Sequence, residues 1–123
     1  MPKTILVAED EVDILKIITF RLKRNAYNVI TALNGKEALE MLKKAKPDLI
    51  ILDLVMPIID GYEVCKILKA DVNYKDIPVL LLTASATSNM LEKIKLTQAS
   101  DYLIKPFEPE DLLKKAKKLL GEK

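Results

Sequence analysis

The stretch Asp48-Leu49-Ile50-Ile51-Leu52-Asp53 decides the fold. Its apolar run is too short for a helix and lacks the alternation of a half-exposed strand, so it reads as a strand covered on both faces. Three more runs share this pattern: Thr4-Ile5-Leu6-Val7-Ala8, Ile77-Pro78-Val79-Leu80-Leu81-Leu82 and Asp101-Tyr102-Leu103-Ile104. A fifth, Tyr27-Asn28-Val29-Ile30-Thr31-Ala32, mixes polar and β-branched residues as a more exposed edge strand does.

Helical spacing fills the intervals. Val12, Leu15, Ile18 and Leu22 form one stripe and predict a helix from Val12 to Asn25, opening after an acidic cluster that suits the positive end of a helix dipole. Asn34 is a good N-cap, Glu37 is placed to complete a capping box, and Ala38, Leu39 and Leu42 face inward until Pro47 ends the element. A third helix is expected after Gly61 with Val64 and Leu68 inward, and a fourth between Thr87 and Thr97. The last starts at Pro109, with Leu112, Leu113, Ala116, Leu119 and Leu120 on its inner face and Lys114, Lys115, Lys117 and Lys118 mostly outside. Strand and helix alternate five times with short connections, which calls for a doubly wound α/β domain, a parallel sheet with helices on both faces.

The size and composition agree with one such domain. A chain of 123 residues, half of them hydrophobic and 31% charged, has the balance of a soluble globular unit. The net charge of +2, from 20 basic and 18 acidic residues, is too small to imply a nucleic-acid or membrane partner, and neither is expected. No apolar run approaches the roughly 18 residues of a membrane span, and the first residues lack a signal-peptide profile, so a cytoplasmic location is expected. The lone Cys65 excludes an internal disulfide and reads as a small buried hydrophobe. Histidine is absent, which removes Ser-His-Asp and Cys-His nucleophile systems and leaves carboxylates, hydroxyls and lysine for any chemistry.

Ligands of doubly wound sheets bind beyond the carboxyl ends of the strands. There the sequence places Glu9, Asp10 and Glu11 after the first strand, Asp53 at the third, Thr83 at the fourth and Lys105 at the fifth. If the first and third strands are neighbours, Glu9, Asp10 and Asp53 converge into one acidic pocket. Crowded carboxylates raise one another's pKa or recruit a cation, and an all-oxygen set without His or Cys suits hard Mg²⁺. Read singly, Glu9 to Glu11 could merely supply first-turn acids to the helix and Asp53 could cap a loop; the set together argues otherwise. With Lys105 adding an ammonium and Thr83 a hydroxyl, Asp53 becomes a nucleophile able to attack phosphorus and form an acyl phosphate.

Four segments in order, Val7-Ala8-Glu9-Asp10-Glu11, Asp53-Leu54-Val55-Met56-Pro57 with Asp60-Gly61, Leu82-Thr83-Ala84 and Asp101-Tyr102-Leu103-Ile104-Lys105-Pro106-Phe107, resemble the receiver domain of two-component response regulators, including the chemotaxis protein of that fold. The resemblance runs from about Lys3 to Leu120. It implies a flavodoxin-like sheet of order 2-1-3-4-5 and a magnesium-dependent, phosphorylation-activated signalling switch that catalyses only its own phosphorylation and dephosphorylation. It also implies Asp53 as phosphoacceptor, and Mg²⁺ held by the Asp10 and Asp53 carboxylates, by Glu9 through water and by the Val55 backbone carbonyl. Thr83, the Ala84 N–H and Lys105 would contact the phosphoryl oxygens, and the Lys105-Pro106 bond would be cis. Tyr102 matches the switch aromatic that would turn inward with Thr83 and repack the face of the fourth helix, fifth strand and fifth helix; its alternative is plain packing at the sheet edge.

The implied partners are a sensor histidine kinase or phosphotransfer protein as donor and a downstream protein as target, with a phosphorylation-dependent dimer open. Since the last helix is expected to end at Leu120, residues 1–123 are expected to form a single receiver without an output domain. Gln98 stands where relatives carry glycine, which leaves the turn into the fifth strand open. A haloacid-dehalogenase-type hydrolase would need a second Asp where Val55 stands, and a flavin binder would want a glycine- and hydroxyl-rich loop where Glu9 to Glu11 stand.

Overall fold

The computed structural model describes residues 2–122. Its elements alternate as β1 (Thr4–Ala8), α1 (Val12–Arg24), β2 (Asn28–Ala32), α2 (Gly35–Lys44), β3 (Leu49–Asp53), α3 (Gly61–Lys69), β4 (Val79–Thr83), α4 (Ser88–Leu96), β5 (Asp101–Ile104) and α5 (Pro109–Leu119). The strands form one parallel sheet of order β2-β1-β3-β4-β5, as expected.

Strand side chains alternate between faces, so each central strand feeds two cores. Leu6, Ala8, Ile50, Leu52 and Leu81 pack with Ala38, Leu42, Val64, Leu68 and Ile94 of α2, α3 and α4. Ile5, Val7, Leu49, Ile51 and Leu80 pack with Leu15, Ile18, Leu22, Leu112 and Ala116 of α1 and α5. Each fully buried Leu or Ile removed from water contributes roughly 1.5–3 kcal/mol. The doubly apolar runs of β1, β3 and β4 therefore hold the middle of the sheet, with every residue of β3 and β4 buried.

Three expectations need correction. β5 is not covered on both faces: it pairs only with β4, and its residues are half-buried or exposed. Its composition matched a central strand because length and apolarity cannot tell a sheet edge from its middle. Val12 is 49% exposed, leaving Leu15, Ile18 and Leu22 as the buried stripe of α1. Asn25 caps α1 from outside the helix.

The caps follow the sequence closely. The Glu37 N–H donates to Asn34 Oδ1 at 2.8 Å, while Glu37 Oε1 reaches past the cap to accept from the Leu33 N–H at 3.3 Å, a capping box displaced by one residue. Asp60 caps α3 and Thr87 caps α4, whose only fully buried residue is Ile94. Gln98 does adopt the left-handed conformation, with φ of 61°. The Lys105-Pro106 bond is cis.

Candidate functional site

The register puts the chemistry in one place. β1 and β3 are neighbours at the sheet centre with Ala8 paired to Leu52, so the residues that follow each strand emerge side by side. Glu9, Asp10 and Asp53 each offer an oxygen lying within 4.8 Å of the others. Glu9 is fully buried, Asp53 nearly so, and Asp10 is exposed at the rim.

Lys105, just beyond β5, reaches across β4 into this cluster. Its Nζ donates to Asp53 Oδ2 at 2.8 Å, lies 2.7 Å from Glu9 Oε1 and stands 3.8 Å from Glu11 Oε1. Its ammonium bridges the two buried carboxylates. Burial alone would depress the lysine, but the hydrogen bonds to Asp53 and Glu9 outweigh it and hold the ammonium above its usual pKa. Burial pushes Glu9 up to about 7 against the opposing pull of Lys105, with Asp53 adding to the rise.

Glu9 Oε1 is buried against the Lys105 ammonium at 2.7 Å. Oε2 of the same side chain accepts from the Glu11 N–H at 3.1 Å. A buried carboxylate gathered with two further carboxylates, with no nitrogen or sulfur ligand in the set, fits a hard divalent cation of the magnesium type.

Asp53 Oδ1 accepts from the Val55 N–H at 3.2 Å, which fixes the carboxylate while the Val55 side chain stands in solvent. Gly61 packs against the backbone at the end of β3: a Cβ there would lie 2.4 Å from the Asp53 carbonyl oxygen, so no other residue lets α3 begin this close to β3. Between them Ile58 holds φ of 72°, an uncommon conformation for a β-branched residue, in a tight turn closed by Ile59 N–H to Pro57 O at 2.8 Å.

Thr83 is buried at the end of β4, but its hydroxyl is engaged away from the carboxylates. It donates to the Ser85 carbonyl at 3.0 Å and accepts from the Ser85 N–H at 3.3 Å. Ser85 as the partner of Thr83 was missed in the sequence, although the spacing of two residues is the signature of a hydroxyl turn. Glu11, near Lys105 but largely exposed, was likewise left without a role. Ala84 is exposed. Tyr102 is half-buried on β5, packed against the α2–α3–α4 side of the core, with Lys115 Nζ 5.9 Å from its ring centroid. Phe107 packs against the opposite core and Cys65 is buried, its thiol pushed up to about 11 by desolvation.

Known proteins share this fold. Residues 5–117 match the response regulator receiver domain family. The chain is 40% identical over 122 residues to the alkaline phosphatase synthesis transcriptional regulatory protein PhoP of Bacillus subtilis, covering 98% of this chain and 49% of that protein. It spans about half the length of the curated relatives it matches. The chemotaxis protein CheY4 of Vibrio cholerae has the same fold, with a TM-score of 0.91 and 34% identity over 97% of this chain and 99% of that one. The receiver domain of the sensor histidine kinase PA1611 of Pseudomonas aeruginosa, which carries magnesium coordinated in its active site cleft, aligns with a TM-score of 0.90 and 27% identity over 99% of this chain and all of its own. The sheet order, the acidic cluster bridged by lysine and the family match over most of its length agree: this chain belongs to the response regulator receiver domains of two-component systems.

Proposed function

We propose that the chain is a phosphorylation-activated switch in which Asp53 accepts a phosphoryl group from a sensor histidine kinase or a phosphotransfer protein. The observation that supports this best is Lys105 Nζ, seated 2.8 Å from Asp53 and 2.7 Å from Glu9 beside three gathered carboxylates. Asp10 and Asp53 would hold Mg²⁺ through their carboxylates, Val55 through its backbone carbonyl and Glu9 through water. The bound ion supplies charge neutralisation that lets an anionic phosphoryl group approach an anionic nucleophile.

The chain's own groups carry the rest. An Asp53 carboxylate oxygen attacks phosphorus, the bond from phosphorus to the donor atom breaks, and its electron pair leaves with the donor. Lys105, already hydrogen-bonded to Asp53, follows the developing charge onto a phosphoryl oxygen. Thr83 exchanges its Ser85 contact for a second oxygen, and the Ala84 N–H donates to the same group. The movement of Thr83 frees space behind it, Tyr102 turns inward, and the population shifts toward a repacked α4–β5–α5 face that a downstream protein reads. Apart from this self-modification the chain is no enzyme.

Incubation with acetyl phosphate and Mg²⁺, followed by intact-mass measurement, tests the assignment. The wild type gains one phosphate and Asp53→Asn gains none; no gain in the wild type, or an equal gain in both, defeats it.

A further inference from the structure

Outside the phosphoacceptor pocket a groove of about 510 Å³ lies between α3 and α4, lined chiefly by Tyr62, Lys66, Lys69, Lys93, Leu96 and Gln98. Crossover helices run antiparallel to the strands they join, so the last turns of α3 and α4, with Lys66, Lys69, Lys93 and Leu96, lie toward the amino ends of the strands, away from Asp53, while Tyr62 in the first turn of α3 closes the groove at its other end. The groove is also separate from Tyr102 and Lys115, which lie in a different opening along β5 and α5.

Two features single it out. Leu96 is 83% exposed, the most exposed large hydrophobic among the described residues, and it lines the same groove as Tyr62. The walls carry three ammonium groups and no carboxylate. Lysines in a last helical turn complement the helix dipole, and that accounts for part of the charge. It does not account for an apolar side chain held in water between them. Lys69 already donates to the Lys75 and Ile77 carbonyls, whereas Lys66 and Lys93 enter no ion pair among the described residues. At the groove's end Gln98 holds φ of 61°, a conformation that costs a non-glycine residue free energy and fixes the wall where Leu96 emerges.

We propose that this groove docks an acidic peptide segment of a partner protein, one that lays a large apolar side chain against Leu96 and Tyr62 while its carboxylates meet Lys66 and Lys93. Apolar contact supplies affinity and the cationic walls select the sign of the segment, the division of labour common at protein interfaces. The site requires no phosphorylation of Asp53 and so stands or falls apart from the pocket.

Two synthetic helical peptides test it, one with leucines on one face and glutamates on the other, the second with every glutamate replaced by glutamine. Each is titrated into the full chain and followed by amide NMR. The glutamate peptide shifts the amides of Tyr62, Lys66, Lys93 and Gln98, and binds about tenfold more weakly to Leu96→Ser, a difference of about 1.4 kcal/mol. The double variant Lys66→Glu/Lys93→Glu, altered only at exposed positions, loses the glutamate peptide and gains the corresponding lysine peptide. No shift at the groove, shifts centred elsewhere, equal binding of the glutamine peptide, or indifference to charge reversal each overturns the proposal.

Discussion

At the scale of single residues, Lys105 carries more than the sequence credited to it. Its ammonium is the counter-charge for both Glu9 and Asp53, and removing one member of a buried ion cluster strands the others. Such losses cost roughly 3–5 kcal/mol, and this site falls at the low end because Glu9, already pushed up to about 7, can take up a proton. Lys105→Met therefore melts at lower temperature than the wild type in EDTA, and excess MgCl2 narrows the gap because a second cation replaces the first. Thermal melts of both proteins with and without magnesium check this. Equal melting temperatures in EDTA would show that the lysine contributes nothing to holding the carboxylates together. The placing of these residues at the strand ends was legible because the apolar runs before them mark where each strand stops. The bridge was not, since a sequence records which side chains occur at a strand end but not how far a lysine reaches across its neighbour.

At the scale of elements, the β3–α3 connection shows how tightly the site is bound to the fold. Asp60 caps the helix, Gly61 opens it, and the Gly61 N–H donates to the Leu54 carbonyl at 2.9 Å. A methyl group at 61 would meet the Asp53 carbonyl oxygen at 2.4 Å and Leu54 Cα at 2.7 Å, both backbone atoms that cannot swing aside. Gly61→Ala therefore costs roughly 1–3 kcal/mol, the usual range for overpacking. It shows as a lower urea midpoint with an unchanged slope, and the displaced Asp53 backbone also slows labelling by acetyl phosphate. An unaltered midpoint would mean that α3 can retreat freely from β3. Helix starts such as Val12 and Pro109 were readable from periodicity, from the acidic cluster before the one and from proline at the first position of the other. The half-exposed state of β5 was not, because only the pairing order tells a short apolar strand that it lies at the edge.

At the scale of the whole molecule, strands in the order 2-1-3-4-5 make the carboxyl edge a meeting point for residues 9, 10, 53, 83 and 105, and the opposite edge a place where the chain's ends are tied together. Lys3 Nζ donates to the Leu120 carbonyl at 2.6 Å, and the Tyr27 hydroxyl donates to Glu122, fastening the end of α5 to β1 and to the entry of β2. Burial first, and then the nearby Glu122 carboxylate, push the Tyr27 phenol up to about 12. The native state therefore keeps the phenol proton more firmly than the unfolded chain, whose tyrosine titrates near 10. The contribution is complete below pH 10 and is lost between about 10 and 12, at up to about 1.4 kcal/mol per pH unit. Because Cys65 titrates in the same window, the informative quantity is the difference between proteins. Tyr27→Phe, which keeps the ring and removes the ionising group, declines less steeply with pH than the wild type in urea melts taken across that range. Parallel declines would show that Tyr27 ionises as freely in the folded protein as in the unfolded chain, and that the tie to α5 contributes nothing to closing this edge of the fold.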